Sequence, residues 1–328
     1  MTSELHAGPR HLDAGRPESK ARSYARLGKL DVYDYYLSIL VVAAAVLPPA
    51  AVGAGSLPML LLFLLGEVCT LVALVSFDDV TGFRDGSDIA NYGPNDPLRK
   101  KLRKPLVAGT LTDREALRFG WAAAAAGALL WGGAVALAPH RPMWTIVVIA
   151  VTYVIALQYS YGLKLSYHGF QEAFLVALGT VLVLAPYGLA TGEFSGFLLV
   201  QAILFGLGPL MFGVYSNTND VEGDRGVGRP TVAALTTARG NALFIGALSL
   251  GEFLLVLGAS LTGVAPWWFV VVLLPASALR ARQYHLGFRA HDIMRARRLG
   301  FRVHRTYVLL LVVANLLITL GLVGGLAR

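Results

Sequence analysis

The sequence predicts an all-α integral membrane protein, a bundle of about nine transmembrane helices. Three observations carry this. The 328-residue chain has a mean hydropathy of +0.60, with 55% hydrophobic and only 15% charged residues, far from the soluble range. Its apolar runs repeatedly approach the roughly 20 residues that a helix needs to cross hydrocarbon. The strict alternation of a β-barrel is missing, so the backbone groups must be satisfied within helices.

The candidate spans are residues 33–53, 57–77, 117–138, 143–162, 171–190, 195–216, 241–262, 265–280 and 306–326, the eighth being short. Lys and Arg gather on one side of them: Arg22, Arg26 and Lys29, then Arg84 through Lys104, Lys164, Arg225, Arg229 and Arg239, and finally Arg280 through Arg305. The opposite loops, around APHRPM, LATGEFSG and LTGVAPWW, are short and nearly uncharged. Positive loops stay cytoplasmic, so the expected topology is N-terminus inside and C-terminus outside.

The net charge of +8 is therefore mostly a topology signal; no basic soluble face points to nucleic acid, and the expected surroundings are a lipid bilayer. The single Cys69 lies within a span and reads as a packing residue. Residues 1–27 are polar and lack an apolar signal core, and read as a flexible cytoplasmic tail; residues 28–328 read as one membrane domain.

Acids are scarce, yet they cluster in two loops on the cytoplasmic side. SFDDVTGFRDGSD, residues 76–88, carries Asp78, Asp79, Asp85 and Asp88; YSNTNDVEGDRGVGRP, residues 215–230, carries Asp220, Glu222 and Asp224. Asp220 and Asp224 are four apart and share a face on a continuing helix, and Asp78, Asp85 and Asp88 form a second stripe if that helix also continues. A lone acid at a helix end is as readily a solvated cap or the partner of a nearby Lys or Arg. Two crowded clusters repel themselves, and divalent cations neutralise such crowding best. Oxygen ligands without Cys or His point to Mg²⁺, which shares its sphere with substrate phosphates. Lys104, Lys164 and Arg229 would complete a site for a diphosphate.

Each cluster is followed by an echo. KPLVAGTLT (104–112) and RPTVAALTT (229–237) share a basic residue, Pro, Val, Ala and a final Thr, which points to duplicated halves.

SNTNDVEGDRGVGRPT resembles the second aspartate motif of the UbiA superfamily of intramembrane prenyltransferases, and Asn217 with Asp220 and Asp224 is most similar to its menaquinone branch, which prenylates dihydroxynaphthoate. YSYGLKLSYHGFQE, residues 159–172, is similar to the family's loop between spans four and five. The resemblance covers about residues 28–326. The first motif departs from the usual NDxxDxxxD: one register uses Asp78 and Asp85, the other Asp79 and Asp88, and both lack the middle acid.

The resemblance implies a Mg²⁺-dependent enzyme that takes a prenyl diphosphate between the two acidic clusters and transfers its isoprenyl group to an aromatic acceptor, in the cytoplasmic membrane with the site opening to the cytoplasm. Asp78, Asp79, Asp85, Asp88, Asp220 and Asp224 become candidate metal ligands, and Asn217, Lys104, Lys164 and Arg229 candidate diphosphate ligands. Ionisation of the donor leaves an allylic cation that aromatic faces stabilise; among Tyr159, Tyr161 and Tyr215, Tyr159 is the first candidate. Each has interfacial anchoring as its ordinary explanation. Asp34 is a candidate for binding or deprotonating an acceptor, or else a helix-start acid. His168 and Glu172 also lie near the motif loops. The basic stretch before the last span, residues 281–305, reads as a topology anchor or a lid. A membrane terpene cyclase would share this site and dispense with the acceptor. A cation transporter would place its acids near the bilayer midplane instead, and a phosphatidyl-alcohol transferase would carry one contiguous acidic signature.

Overall fold

A computed structural model describes residues 19–29, 34–46, 55–91 and 104–323. Among them the polypeptide is helical: α1 Lys20–Leu27, a 3-10 turn Asp34–Leu37 leading into α2 Ser38–Val46, α3 Ser56–Arg84, α4 Ser87–Asn91, α5 Asp113–Leu137, α6 Met143–Gln158, a 3-10 turn Leu165–His168, α7 Gln171–Thr191, α8 Gly196–Asn219, α9 Val221–Gly226, α10 Val232–Leu235, α11 Ala238–Leu261, α12 Phe269–Phe288 and α13 Ile293–Thr319. Of these, α3, α5, α7, α8, α11 and α13 are long and apolar enough to cross a membrane, and Asp34–Val46 and α6 are shorter apolar helices.

Close packing is set by small residues, because lipid offers no hydrophobic drive between helices. A Cβ on Gly179 in α7 would stand 2.6 Å from Gly206 Cα in α8, so these backbones touch. A Cβ on Gly127 in α5 would stand 2.7 Å from Thr70 Oγ1 in α3, and α3 and α5 form a second tight pair. The principal apolar core runs through α2, α3, α7, α8 and α13, from Phe63 and Leu71 to Leu182, Phe205 and Leu311.

Three boundaries differ from the sequence expectations, and each matters for the site. Residues 20–27, assigned to a flexible tail, form α1; its Leu27 is buried with Val80 of α3, and Ser19 caps its start. The second span does not stop at residue 77. Helix α3 continues to Arg84, then Gly86, at φ 84°, turns the backbone into α4. Asp78, Asp85 and Asp88 therefore do not lie on one continuous helical stripe. The basic stretch before the last span is not a loop: α12 runs to Phe288 and α13 starts at Ile293, so most of it forms the adjoining ends of two long helices.

The echo is structural as well as textual. Its final threonines, Thr112 and Thr237, each cap the next long helix, accepting from Glu115 N in α5 and Gly240 N in α11. Its first residues, Lys104 and Arg229, both line one cavity.

Candidate active site

That cavity, about 270 Å³, is polar at one end and apolar at the other. The polar wall gathers Asp78 from the end of α3, Asp88 from α4, and Asp220 and Asp224 around the α8–α9 junction, with Lys29, Lys104 and Arg229 among them. The apolar wall is Leu71, Leu74 and Val75 of α3, Leu175 and Leu178 of α7, and Phe212 of α8. On a helix, residues 71, 74, 75 and 78 share one face, so the same stripe of α3 supplies hydrocarbon below and a carboxylate above.

The acids are held by cations. Arg229 Nη2 donates to Asp78 Oδ1 at 2.9 Å, to Ser160 Oγ at 3.1 Å and to Ser166 Oγ at 3.2 Å; Ser160 also donates to Asp78 at 2.7 Å. Lys104 Nζ donates to Asp88 Oδ2 at 2.8 Å and to Asp79 Oδ1 at 2.7 Å, and Lys29 also donates to Asp79. On the facing wall Thr231 Oγ1 donates to Asp224 Oδ2 at 3.2 Å, and the Asp224 amide donates to the Asp220 carbonyl at 2.9 Å. The helical turn that the spacing of four implies is thus present even though α8 ends at Asn219.

Burial raises Asp88 to about 6, with the neighbouring Asp79 charge adding and Lys104 opposing. Burial also raises Asp224 to about 6, with Arg229 opposing and Asp220 adding. Burial alone would lower Arg229, but the charge of Asp78 outweighs it and holds the guanidinium above its ordinary value.

Tyr159 lines the cavity, 7% exposed, with its ring stacked on Phe174 at 4.7 Å. Asn217 lines the cavity and accepts from Gln171 Nε2 at 3.1 Å.

Not every sequence candidate reaches the cavity. Asp79 is 1% exposed and lies behind the wall between Lys29 and Lys104, so its role is to fix those cations. Asp85 faces away: it accepts from the Tyr167 hydroxyl and from Ser87 N, and lines a separate depression shared with the α9 region. Lys164 is exposed, in a left-handed conformation at φ 50°, with its ammonium 5.3 Å from the Tyr167 ring. Asp34 is buried and accepts two hydrogen bonds from Arg305, at 2.6 and 3.0 Å, which makes it a structural acid. Asp31 lies outside the described residues. His168 is exposed, and Glu172 accepts from Val232 N at 3.1 Å, tying α7 to α10.

Arg26, Lys29, Gln171 and Arg297 also line the cavity, although the sequence marks none of them as a ligand. By sequence Arg26 and Lys29 are only topology charges. Arg297 donates to Ser216 from α13, a contact across 81 residues that no local pattern encodes.

The donor set fits a hard cation bound together with an anion. The acids of the cavity supply only oxygen, and its wall includes neither His nor Cys. Arg229 Nε and Gln171 Oε1 are buried without partners, a donor and an acceptor available to a polar ligand. Among the described residues no three acidic, His or Cys side chains converge on one point, and Asp78 and Asp88 are engaged by cations of the protein itself.

The model of the UbiA prenyltransferase family matches residues 37–304. The chain belongs to the UbiA prenyltransferase family. Its membrane bundle is the UbiA fold, as solved structures also show. A UbiA homologue from Archaeoglobus fulgidus bound to GPP and Mg²⁺ is 14% identical, with a TM-score of 0.59 over 88% of this chain and 99% of that one. An apo UbiA homologue from Aeropyrum pernix K1 is 15% identical, with a TM-score of 0.59 over 90% and 98%. A digeranylgeranylglyceryl phosphate synthase is 13% identical, with a TM-score of 0.59 over 90% and 99%. No curated protein matches this UbiA sequence.

Proposed function

We propose that this UbiA protein transfers an isoprenyl group from a prenyl diphosphate to carbon of an aromatic acceptor within the cytoplasmic membrane, with Mg²⁺ as cofactor. The observation that carries this reading is the cavity in which four aspartates and several cations stand directly above an apolar wall. The A. fulgidus homologue bound to GPP and Mg²⁺ supports the same ligand class.

Asp78 and Asp88 on one wall and Asp220 and Asp224 on the other would hold the metal, and Lys29, Lys104 and Arg229 the phosphate oxygens. Mg²⁺, when bound, neutralises charge on the leaving diphosphate. Lys104 and Arg229 stabilise that same developing charge from fixed positions. The allylic C–O bond breaks with its electron pair going to the diphosphate; an acceptor ring carbon then supplies the pair for the new C–C bond and loses its proton. The Tyr159 face, supported by Phe174, covers the cationic carbon and excludes water. Location of the cations at one end of the bundle supports a mouth on the cytoplasmic side.

The test is a matrix of geranyl, farnesyl and geranylgeranyl diphosphates against phenolic, naphthoic and indolic acceptors in membranes, with and without Mg²⁺. Prenylated acceptor that depends on Mg²⁺ is the expected product. A cyclic hydrocarbon or alcohol formed without acceptor would replace the transferase with a terpene cyclase.

A further inference from the structure

Gln171 is the first residue of α7 and is 7% exposed. It lines the cavity together with Leu175 and Leu178, four and seven residues on, a spacing that puts all three on one face of the helix. The next residue, Glu172, is instead tied to α10 through Val232 N. The Gln171 Nε2 group donates to Asn217 Oδ1 of α8 at 3.1 Å, and the carbonyl Oε1 is buried with no protein group donating to it. A buried carbonyl oxygen without a donor is costly, so a ligand that brings one is favoured there.

The proposed occupants of the cavity differ in what they can offer this oxygen. Ionised diphosphate oxygens accept hydrogen bonds and donate none, and the prenyl chain is hydrocarbon. Waters on Mg²⁺ do donate, but the Gln171 side chain bonds the neutral Asn217, not a carboxylate, and its helical face continues into two leucines. We propose that Gln171 Oε1 is the recognition point for the aromatic substrate, taking a hydrogen bond from a hydroxyl or a ring N–H. This rests on the prenyl-transfer reading given under Proposed function. A neutral amide is no base, so Gln171 orients the ring and leaves its proton in place. The site selects rings that carry a donor over rings in which a methyl group caps it, because the capped ring buries Oε1 unsatisfied.

The experiment is calorimetric titration of matched pairs, naphthol with its methyl ether and indole with N-methylindole, into the full-length protein in nanodiscs loaded with Mg²⁺ and an unreactive farnesyl thiolodiphosphate. Binding is read without turnover, so the intrinsic reactivity of the rings does not enter. In the wild type the donor-bearing member of at least one pair binds more tightly than its capped partner by about tenfold or more. Gln171→Met, which keeps the length of the side chain and removes the carbonyl, weakens that member to the level of its partner and leaves the capped ring, Mg²⁺ and the thiolodiphosphate unchanged. Equal affinity within both pairs in the wild type would overturn the proposal whether or not the variant folds. A preference that survives in folded Gln171→Met would reduce Gln171 to a tie between α7 and α8, and a loss of Mg²⁺ affinity there would give Oε1 to the metal or its waters. Binding of the thiolodiphosphate but of none of the four rings would overturn this recognition point and leave the donor site standing; failure of the thiolodiphosphate itself would remove the prenyl-transfer reading.

Discussion

Arg229 and Asp78 are 151 residues apart in sequence, and the Arg229 guanidinium donates to the Asp78 carboxylate at 2.9 Å across the mouth of the cavity. Each is a proposed ligand, the arginine for phosphate and the aspartate for metal. They satisfy one another until both ligands arrive.

Metal and diphosphate should therefore bind cooperatively. Mg²⁺ alone must draw Asp78 from Arg229 and leave a buried guanidinium uncompensated, and an anion alone must leave the carboxylate so; together they exchange all partners. Titration of Mg²⁺ with and without pyrophosphate should show an affinity increase of about tenfold or more. Independent binding would mean that the ion pair persists in the loaded site.

The two walls should respond differently to alanine. Asp220→Ala and Asp224→Ala should each lower turnover by about a hundredfold or more, about 3 kcal/mol of lost transition-state stabilisation, with the fold retained, whereas Asp78→Ala should lose turnover and also melt earlier, because it leaves Arg229 without its carboxylate. Lys164→Ala should remain near wild type, since that side chain lies outside the cavity. Initial rates over a donor series would settle the order.

Asp79→Ala should fail for another reason. It strips a carboxylate from between Lys29 and Lys104. Removing one member of a buried charge pair costs about 3–5 kcal/mol, so the variant should melt early in detergent before any loss in kcat is considered. The same applies to Glu252→Gln, which breaks the bidentate bond from Arg280, at 2.6 and 2.9 Å, between α11 and α12.

Acid should release metal. Asp224 titrates near 6 because it is buried beside Asp220, despite Arg229, whereas its unfolded value is 3.8. Mg²⁺ requires the carboxylate, so its affinity should be level above pH 7 and fall by up to about tenfold per pH unit below 6. The sign for apo stability is opposite. A folded value above the unfolded one means that folding takes up a proton between those pH values, so the apo protein gains stability as pH falls through that window. Calorimetry at pH 5, 6 and 7 measures both.

Much of this was legible in the sequence because it is local. Hydropathy determined the membrane bundle, since hydrocarbon forces each run of apolar residues to satisfy its own backbone as a helix. The two acidic motifs and the echo marked loops that border one cavity, and Lys104, Asn217, Arg229 and Tyr159 line that cavity. What spacing could not determine was where a helix stops. Which acids of the first motif face the cavity follows from α3 running on to Arg84 and the left-handed turn at Gly86, which put Asp78 and Asp88, one from each expected register, inside and turn Asp85 outward to Tyr167.

Tertiary structure alone decided the partners. Asp34 belongs to Arg305, Asp79 to two lysines, and Ser216 to Arg297, pairs separated by 271, 50 and 25, and 81 residues. A charge in sequence has only a sign and a neighbourhood; whether it binds ligand or holds another charge depends on which cation packing brings within hydrogen-bond reach. SFDDVTGFRDGSD determined that acids would stand at the end of a membrane helix. The fold decided that Asp78 and Asp88 would line the proposed site, and that Asp79 and Asp85 would support it from behind.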